Sequence, residues 1–451
     1  MPNLMWLSAG ASTKNSSATD GHFASDMILL MFGVMFALIA LELPIAFALI
    51  CAAFFYLFVG TQIPPTIVVQ RMSTGIDSFP LLAIPLFVLA GNLLNSGGIA
   101  RRLFDFSIAL IGHMRGGLAQ VNILASLIFS GMSGVAQADA AGLGTVEIKA
   151  MKNAGFDGAF AAAVSASSAV IGPIIPPSVI MVIYGVLAQV SVGDLFLAGI
   201  VPGFVIGFLL MLTVYVLVVT RRVHAPVQPQ ASARELRRTF VAAIPPLMAP
   251  IILMVGLLTG IATPTELGAL TVVYAVILGF AYRELTWRSL VRSMSETAIA
   301  SGILVFIMAA AVPIGWAIAV NNVPALFASW LLSITTEPWA ALMMINILLL
   351  IVGCFMETTA ILLIAVPTLL PLILQLGIDP VQFGLIIIIN LLIGATTPPF
   401  GVLLFIVQDI ARVSFGEIVR AMLPFYIPLL IALLLVTYWP SLSLWLPQLL
   451  K

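Results

Sequence analysis

Long apolar runs follow one another along this chain with only short polar stretches between them. Each is close to the roughly 20 residues that a helix needs to cross the hydrocarbon core of a bilayer. That pattern leaves few folds open. In lipid every backbone N–H and C=O must find a partner inside the protein, so only helices and closed barrels can span. The runs are continuous and do not alternate over segments of about ten residues, so they read as helices. Composition agrees, with 62% hydrophobic and 8% charged residues, against about 45–50% and about 25% in soluble domains. A soluble fold of 451 residues has no way to hide that much apolar surface. The chain has room for about ten spans.

The same features exclude several functions. The formal net charge is zero, which argues against nucleic acid as a partner. Cys51 and Cys354 each sit inside an apolar run, and no CxxC or Cys/His spacing is present. Neither a disulfide scaffold nor a zinc site is supported. His22, His113 and His224 fall in tails or interfacial loops, so no histidine-based catalytic constellation is expected within the bilayer. The chain reads as a carrier of solute, not an enzyme, and no organic cofactor is expected. Residues 1–26 are polar and lack the basic segment and cleavage site of a signal peptide. They read as a disordered tail.

Arginine and lysine collect in cytoplasmic loops. The densest cluster is Arg221, Arg222, Arg234, Arg237 and Arg238, beside Pro226 and Pro229. This stretch, 221–240, reads as a cytoplasmic linker. Two apolar runs, about 241–260 and 266–282, bring the chain back to Arg283, Arg288 and Arg292. Counting crossings in both directions places fifteen of the eighteen basic residues inside.

Two segments resemble each other at an offset of about 222 residues. Gly155, Asp157, Gly172 and Pro176–Pro177 match Gly377, Asp379, Gly394 and Pro398–Pro399. VSVGDLF then matches VSFGEIV. By the crossing count the first copy runs inward-to-outward and the second the reverse. An inverted repeat of this kind is typical of secondary transporters. The first membrane repeat is expected over 27–220 and the second over 241–451.

Each copy carries a broken helix, about 156–187 and about 382–408. Gly-Pro-Ile-Ile-Pro-Pro and Gly-Ala-Thr-Thr-Pro-Pro cannot be continuous helix, because each proline removes a donor and clashes with the carbonyl four residues back. Freed carbonyls in lipid are costly, and a hard cation such as Na⁺ can satisfy them. Each break is preceded by a stretch that enters and leaves from one side. These read as re-entrant hairpins, about 118–151 and about 339–376. Asp139 and Glu357 lie near their tips, and an acid within the membrane is a functional candidate by default.

These residues resemble the large membrane subunit of the tripartite ATP-independent periplasmic (TRAP) transporters, the DctM-like family. The resemblance rests on DSFPLLAIPLFVLAGNLLNSGGIARRL (77–103), GHMRGGLAQVNILASLIFSGMSG (112–134), ADAAGLG (138–144), VIGPIIPPSVIMVIYG (170–185), GIDPVQFGLIIIINLLIGATTPPFGVLLF (377–405) and LPFYIPLL (423–430). It covers roughly residues 27–447. It implies an all-α, elevator-type carrier of the ion-transporter kind in the bacterial inner membrane, with two inverted repeats. It also implies a separate small four-helix membrane subunit, a periplasmic substrate-binding protein and a Na⁺ gradient as the energy source. The implied substrate is a small carboxylate of the C4-dicarboxylate, 2-oxo acid or sialic acid type. A GxxxxGK[ST] phosphate loop is absent from the sequence, which agrees with gradient drive.

Members of the family often carry Ser-Ala-Val-Ala-Asp at the first tip. Here Val135 to Asp139 stands in its place, which moves the expected ligands to Ser133 and backbone. On this reading Ser133, Gly134, Asp139, Gly172 and Pro173 form one Na⁺ site. Glu357, Thr358, Thr359, Gly394, Thr396 and Thr397 form another. Ser133, Ser168, Asn390, Thr396 and Thr397 are expected to contact the substrate, whose carboxylate suits the helix N-termini at the tips. The alternative is a proton-coupled symporter using Asp139.

Overall fold

Backbone in a bilayer closes its hydrogen bonds along the chain, and every regular element among the described residues is helical. The structure is a computed structural model that describes residues 13–61, 63–96, 98–223 and 225–450, without the side chains of 13–26, 96 and 133. The tail expected over 1–26 lies outside the described residues as far as residue 12, and its side chains as far as residue 26.

The first helices are α1 (Thr13–Ala40), α2 (Ile45–Gly60) and α3 (Thr66–Gly75). A short 3₁₀ turn, Phe79–Leu82, leads into α4 (Ala83–Ser96) and α5 (Ile99–Ile111). Then come α6 (Gly117–Ser133), α7 (Ala136–Ala141), α8 (Leu143–Asn153), α9 (Gly158–Ala169) and α10 (Val179–Ala188). Next are α11 (Val192–Val219), α12 (Ala233–Leu258), α13 (Pro264–Ala281), α14 (Trp287–Val320) and α15 (Val323–Ile334). The last six are α16 (Pro338–Gly353), α17 (Thr358–Gln375), α18 (Pro380–Gly394), α19 (Val402–Ala411), α20 (Phe415–Tyr438) and α21 (Ser441–Leu449). Six of them, α11, α12, α13, α14, α17 and α20, are long and apolar enough to cross a membrane. Large side chains such as Phe204, Phe208, Ile277 and Ile427 are exposed on them, as a lipid solvent permits. The expected all-α, multi-pass membrane protein is what the chain forms. Within the stretch 221–240, α12 already begins at Ala233, because the Ser232 hydroxyl accepts from Glu235 N and caps it.

Two compact units emerge. The smaller runs up to Asp77 and takes in Leu304–Ile334 and Leu363–Leu372. Within it, Asn321 Nδ2 donates to Tyr56 Oη at 2.6 Å, and Arg71 lies over the Trp316 ring at 5.7 Å.

The larger unit, Ser78–Ile303 with Thr335–Leu362 and Ile373–Lys451, contains both proline breaks. Its centre is built from α9 and α18. Every residue of α9 from Ala159 to Ala169 is buried, and every residue of α18 from Val381 to Gly394. The α9 sequence is nearly all Ala and Ser, which lets neighbouring backbones come close. Long α11 uses the same device. A Cβ on Gly199 would strike the Ile174 carbonyl, one on Gly203 the Ile175 side chain, and one on Gly207 that of Leu127.

The matched residues of the two segments do matched work. Gly155 and Gly377 both turn with positive φ, 94° and 71°, where a side chain is disfavoured. Asp157 and Asp379 then cap the helices that follow. Asp157 Oδ2 accepts from Phe160 N at 2.9 Å, and Asp379 Oδ1 from Val381 N at 2.7 Å and Gln382 N at 3.3 Å. Ser191 and Ser414 cap α11 and α20. Gln189 and Arg412 end α10 and α19 in the left-handed region. The similarity at an offset of about 222 residues is therefore one of local structural roles.

Removing the second cap tests this. Asp379→Ala leaves two helix N–H groups without their acceptor and should cost about 1 kcal/mol, up to about 2. Asp379→Asn keeps an acceptor and should stay near wild type. The thermal unfolding midpoint of the purified protein reports both. Equal loss in the two variants would remove the capping role.

Candidate functional site

At the first break the helix stops at Ala169 and resumes at Val179. Neither α9 (12 residues) nor α10 (10 residues) spans the core alone, since they extend roughly 18 Å and 15 Å at about 1.5 Å per residue. The second break separates α18 (15 residues) from α19 (10 residues). The Pro176–Pro177 and Pro398–Pro399 bonds are both cis.

Each break is tied to a hairpin tip by backbone. Helices α6, α7 and α8 form the first hairpin, and Gly134 at its tip accepts a hydrogen bond from Val179 N at 3.3 Å. Gly134 has φ of 65°, and a Cβ there would sit 2.5 Å from the Pro177 carbonyl. Glycine is required on both counts. Asp139, 2% exposed, presses its carboxylate on the other side of the break, where a Cβ on Gly172 would collide with it. The structure thus brings Gly134, Asp139 and Gly172 together. Pro173 is buried beside them. The Ser133 side chain lies outside the described residues.

The second tip repeats the arrangement. Cys354, just after α16, accepts from Phe400 N at 3.2 Å. Gly353 and Gly394 meet backbone to backbone, and a Cβ on Gly394 would lie 2.7 Å from the Gly353 Cα. Glu357 turns back on its own helix. It accepts from Thr359 N at 2.8 Å, Ala360 N at 3.1 Å and the Thr359 hydroxyl at 3.0 Å, so it caps α17. Thr358 is buried and lines a narrow cleft with Gly353, Glu357, Ala395 and Phe400. Gln137 of the first hairpin lines the same cleft, so the second break faces both hairpins.

Thr396 and Thr397 carry the most telling chemistry. Both hydroxyls donate to the Ile393 carbonyl, each at 2.7 Å. A hydroxyl has one hydrogen and two lone pairs. With the hydrogen on Ile393, each oxygen is left with lone pairs, and the Thr397 hydroxyl also lies within hydrogen-bond reach of the Tyr426 hydroxyl. The Thr396 carbonyl accepts from the Tyr426 hydroxyl at 2.6 Å, and Leu403 N donates to Ala395 O at 3.0 Å. Oxygen is concentrated here, held by donors from behind.

Ser168 and Asn390 sit one turn before the breaks; the Ser168 hydroxyl and Asn390 Nδ2 are engaged, while Asn390 Oδ1 is buried without a partner among the described residues. The Ser168 hydroxyl donates to Asn122 Oδ1 at 2.8 Å and accepts from Ser126 at 3.0 Å. Asn390 Nδ2 donates to Asn346 O at 2.9 Å and Asn346 Oδ1 at 3.0 Å. Asn122 and Asn346 lie on the first arms of the two hairpins, so each hairpin is stapled to its broken helix by an equivalent pair. Sequence reading missed both asparagines, and also Gln137 and Tyr426. It used Lys152 only as a topological charge, yet Lys152 Nζ donates to Ala411 O at 2.6 Å and caps the end of α19. Pairing across 30 residues or more leaves no local signal, although Asn122 and Tyr426 lie within the quoted stretches 112–134 and 423–430.

The comparisons with known proteins bear on this geometry. A family profile described as "Tripartite ATP-independent periplasmic transporter, DctM component" matches residues 32–442. The sialic acid TRAP transporter large permease protein SiaM of Vibrio cholerae is 41% identical over 418 residues, 92% of this chain and 96% of that protein. The C4-dicarboxylate TRAP transporter large permease protein DctM of Rhodobacter capsulatus is 36% identical, covering 94% of this chain and 99% of that one. The 2,3-diketo-L-gulonate TRAP transporter large permease protein YiaN of Escherichia coli is 36% identical over 92% of this chain and 97% of its own. Among solved structures, the YdaH transporter of Alcanivorax borkumensis superposes with a TM-score of 0.63 at 16% identity, covering 94% of this chain and 98% of that one. That likeness concerns the fold.

The tip contact can be probed with the native thiol. In a Cys51→Ala background, Gly394→Ala forces the Gly353 backbone away and should loosen the Cys354 turn. Cys354 is half-buried, with its thiol on the Leu350 carbonyl. Its maleimide labelling rate in the purified protein should rise severalfold. An unchanged rate would mean that the tip does not rest on the break.

Proposed function

The chain belongs to the DctM component family of tripartite ATP-independent periplasmic transporters, and on that premise we propose that it imports small organic acids across the bacterial inner membrane, driven by sodium. The named relatives handle sialic acid, C4-dicarboxylates and a diketo sugar acid, which supports a carboxylate as the common cargo. A periplasmic binding protein delivers the acid, and a small four-helix membrane subunit braces the chain.

The observation that carries the sodium reading is the pair of hydroxyls at Thr396 and Thr397, both with their hydrogens turned toward Ile393. Oxygens so oriented are ligands for a cation and are poor partners for an anion. We therefore assign Thr396 and Thr397, with Gly394 and the neighbouring carbonyls, to one Na⁺ site, closed by Thr358, Thr359 and Glu357 from the second tip. Gly134, Asp139, Gly172 and Pro173, with Ser133, form its counterpart at the first. A hard cation takes carboxylate, hydroxyl and carbonyl oxygens alike, and both sets supply them.

The substrate needs donors, and these come from elsewhere. The N-termini of α7 and α19 begin at a tip and a break and have no side-chain cap. Each presents N–H groups and partial positive charge. Its carboxylate is placed there, between the hairpins, near the cleft shared by Gln137 and Thr358. Ser168 and Asn390 act one turn back, fixing the hairpin arms. Sodium links the two events, because filling the breaks neutralises the carbonyls and carboxylates that would repel an anion. The hairpins and broken helices, arranged as an inverted repeat, then move together as an elevator.

Anything that binds only the folded protein raises its stability by mass action. The unfolding midpoint of the purified chain should rise saturably with NaCl and not with choline chloride at equal ionic strength. Thr396→Val with Thr397→Val should remove at least half of that rise. A midpoint blind to sodium but dependent on pH would support proton coupling through Asp139 and reject the sites assigned here.

A further inference from the structure

One concentration of charge in the larger unit is not used by the transport site. Helix α5, the first turns of α12 and Glu284 after α13 border an open cleft of about 310 Å³, lined by Arg101, Arg102, Asp105, Arg238, Thr239 and Glu284. Arg238 also lines a second cleft of about 770 Å³, with Arg234 and Arg237. Five arginines thus face two carboxylates. The rings of Phe106 and Phe240, 5.6 Å apart, hold the two helices together at this level.

The arginines divide into two kinds. Arg102 is committed: it pairs with Glu284 at 2.7 Å, donates to Gly98 O at 3.0 Å and lies 3.9 Å over the Tyr282 ring. It forms a wall. Arg101, Arg234, Arg237 and Arg238 are exposed, and among the described residues none of them makes an ion pair. Asp105 lies among three of the guanidiniums and offsets part of their charge. The excess positive charge is left facing the clefts.

What adjoins these arginines is apolar. Phe240, Val241, Ile244, Ile251 and Val255 are all exposed along α12, the least buried of the six candidate spans. An inorganic anion has no use for such a wall. A molecule with an anionic head and long hydrocarbon tails fits both parts. The arginine density sets this level at the cytoplasmic surface, where anionic lipid headgroups meet basic pockets between helices.

We propose that the cleft between α5 and the start of α12 binds an anionic phospholipid of the cytoplasmic leaflet. Arg101, Arg237 and Arg238 grip its phosphate, and its acyl chains lie along Val241, Ile244 and Ile251. Guanidinium groups suit the task because their planar fork bonds two phosphate oxygens at once. The small membrane subunit is the competing occupant of this face, and the test separates the two.

The full chain in mild detergent is titrated with phosphatidylglycerol, with phosphatidylcholine and with inorganic phosphate. Bound lipid is counted by native mass spectrometry, and the unfolding midpoint is followed. Phosphatidylglycerol should bind saturably and raise the midpoint; the other two should not. Each arginine near a membrane surface is worth about 1 kcal/mol to anionic lipid, so Arg101→Gln should weaken binding about fivefold. Arg237→Gln with Arg238→Gln should weaken it more. Arg221→Gln with Arg222→Gln serves as control and should leave it unchanged. The lipid-free midpoint shows whether each variant folds, and the two test variants share no residue. Equal response to phosphatidylcholine, equal response to inorganic phosphate, full binding by both variants, or displacement of the lipid by the small subunit would each overturn the proposal.

Discussion

A peptide group without a partner in hydrocarbon costs several kcal/mol, and this chain interrupts two helices where such partners are hardest to find. The rest of the larger unit follows from how that cost is met. Val179 N and Phe400 N, just past each proline pair, reach across to Gly134 and Cys354 at the hairpin tips. Tyr426 supplies a hydroxyl to Thr396 O. On the proposal above, the Thr396 and Thr397 hydroxyl oxygens, with their hydrogens on Ile393 O, are what remains to take a cation.

The close approach these contacts need explains the glycines. Gly134 against Pro177 O, and Gly394 against Gly353, tolerate no Cβ. It also explains why Asn122 and Asn346 recur on the first arm of each hairpin. They peg it to α9 or α18 at Ser168 and Asn390, and within a low-dielectric interior such satisfied bonds are strong and fix one register. Tip, break and peg form a unit that occurs twice.

Much of this was legible in the sequence where the signal is local. Proline pairs cannot continue a helix, a glycine before Asp157 or Asp379 marks a turn and a cap, and uninterrupted apolar runs mark a membrane protein. Charge at their ends is what suggests the hairpins. The direction of the Thr396 and Thr397 hydroxyls could not be read, since it depends on which carbonyl lies within reach. Glu357 was singled out as an acid near a tip, and its three bonds to Thr359 and Ala360 show a carboxylate that orders the turn it belongs to. Lys152 and Tyr426 act across more than 29 residues of sequence, and nothing in their neighbours announces the partner.

The central claim is that the two breaks are sodium sites whose filling drives organic-acid import. It is tested most directly in proteoliposomes holding the chain with its small subunit, supplied outside with the substrate-loaded binding protein. Accumulation of a labelled acid is measured under an inward Na⁺ gradient, and again in choline with an inward proton gradient. The account predicts accumulation in the first case, dependent on the binding protein, and none in the second. Accumulation driven by protons in the absence of sodium would contradict it.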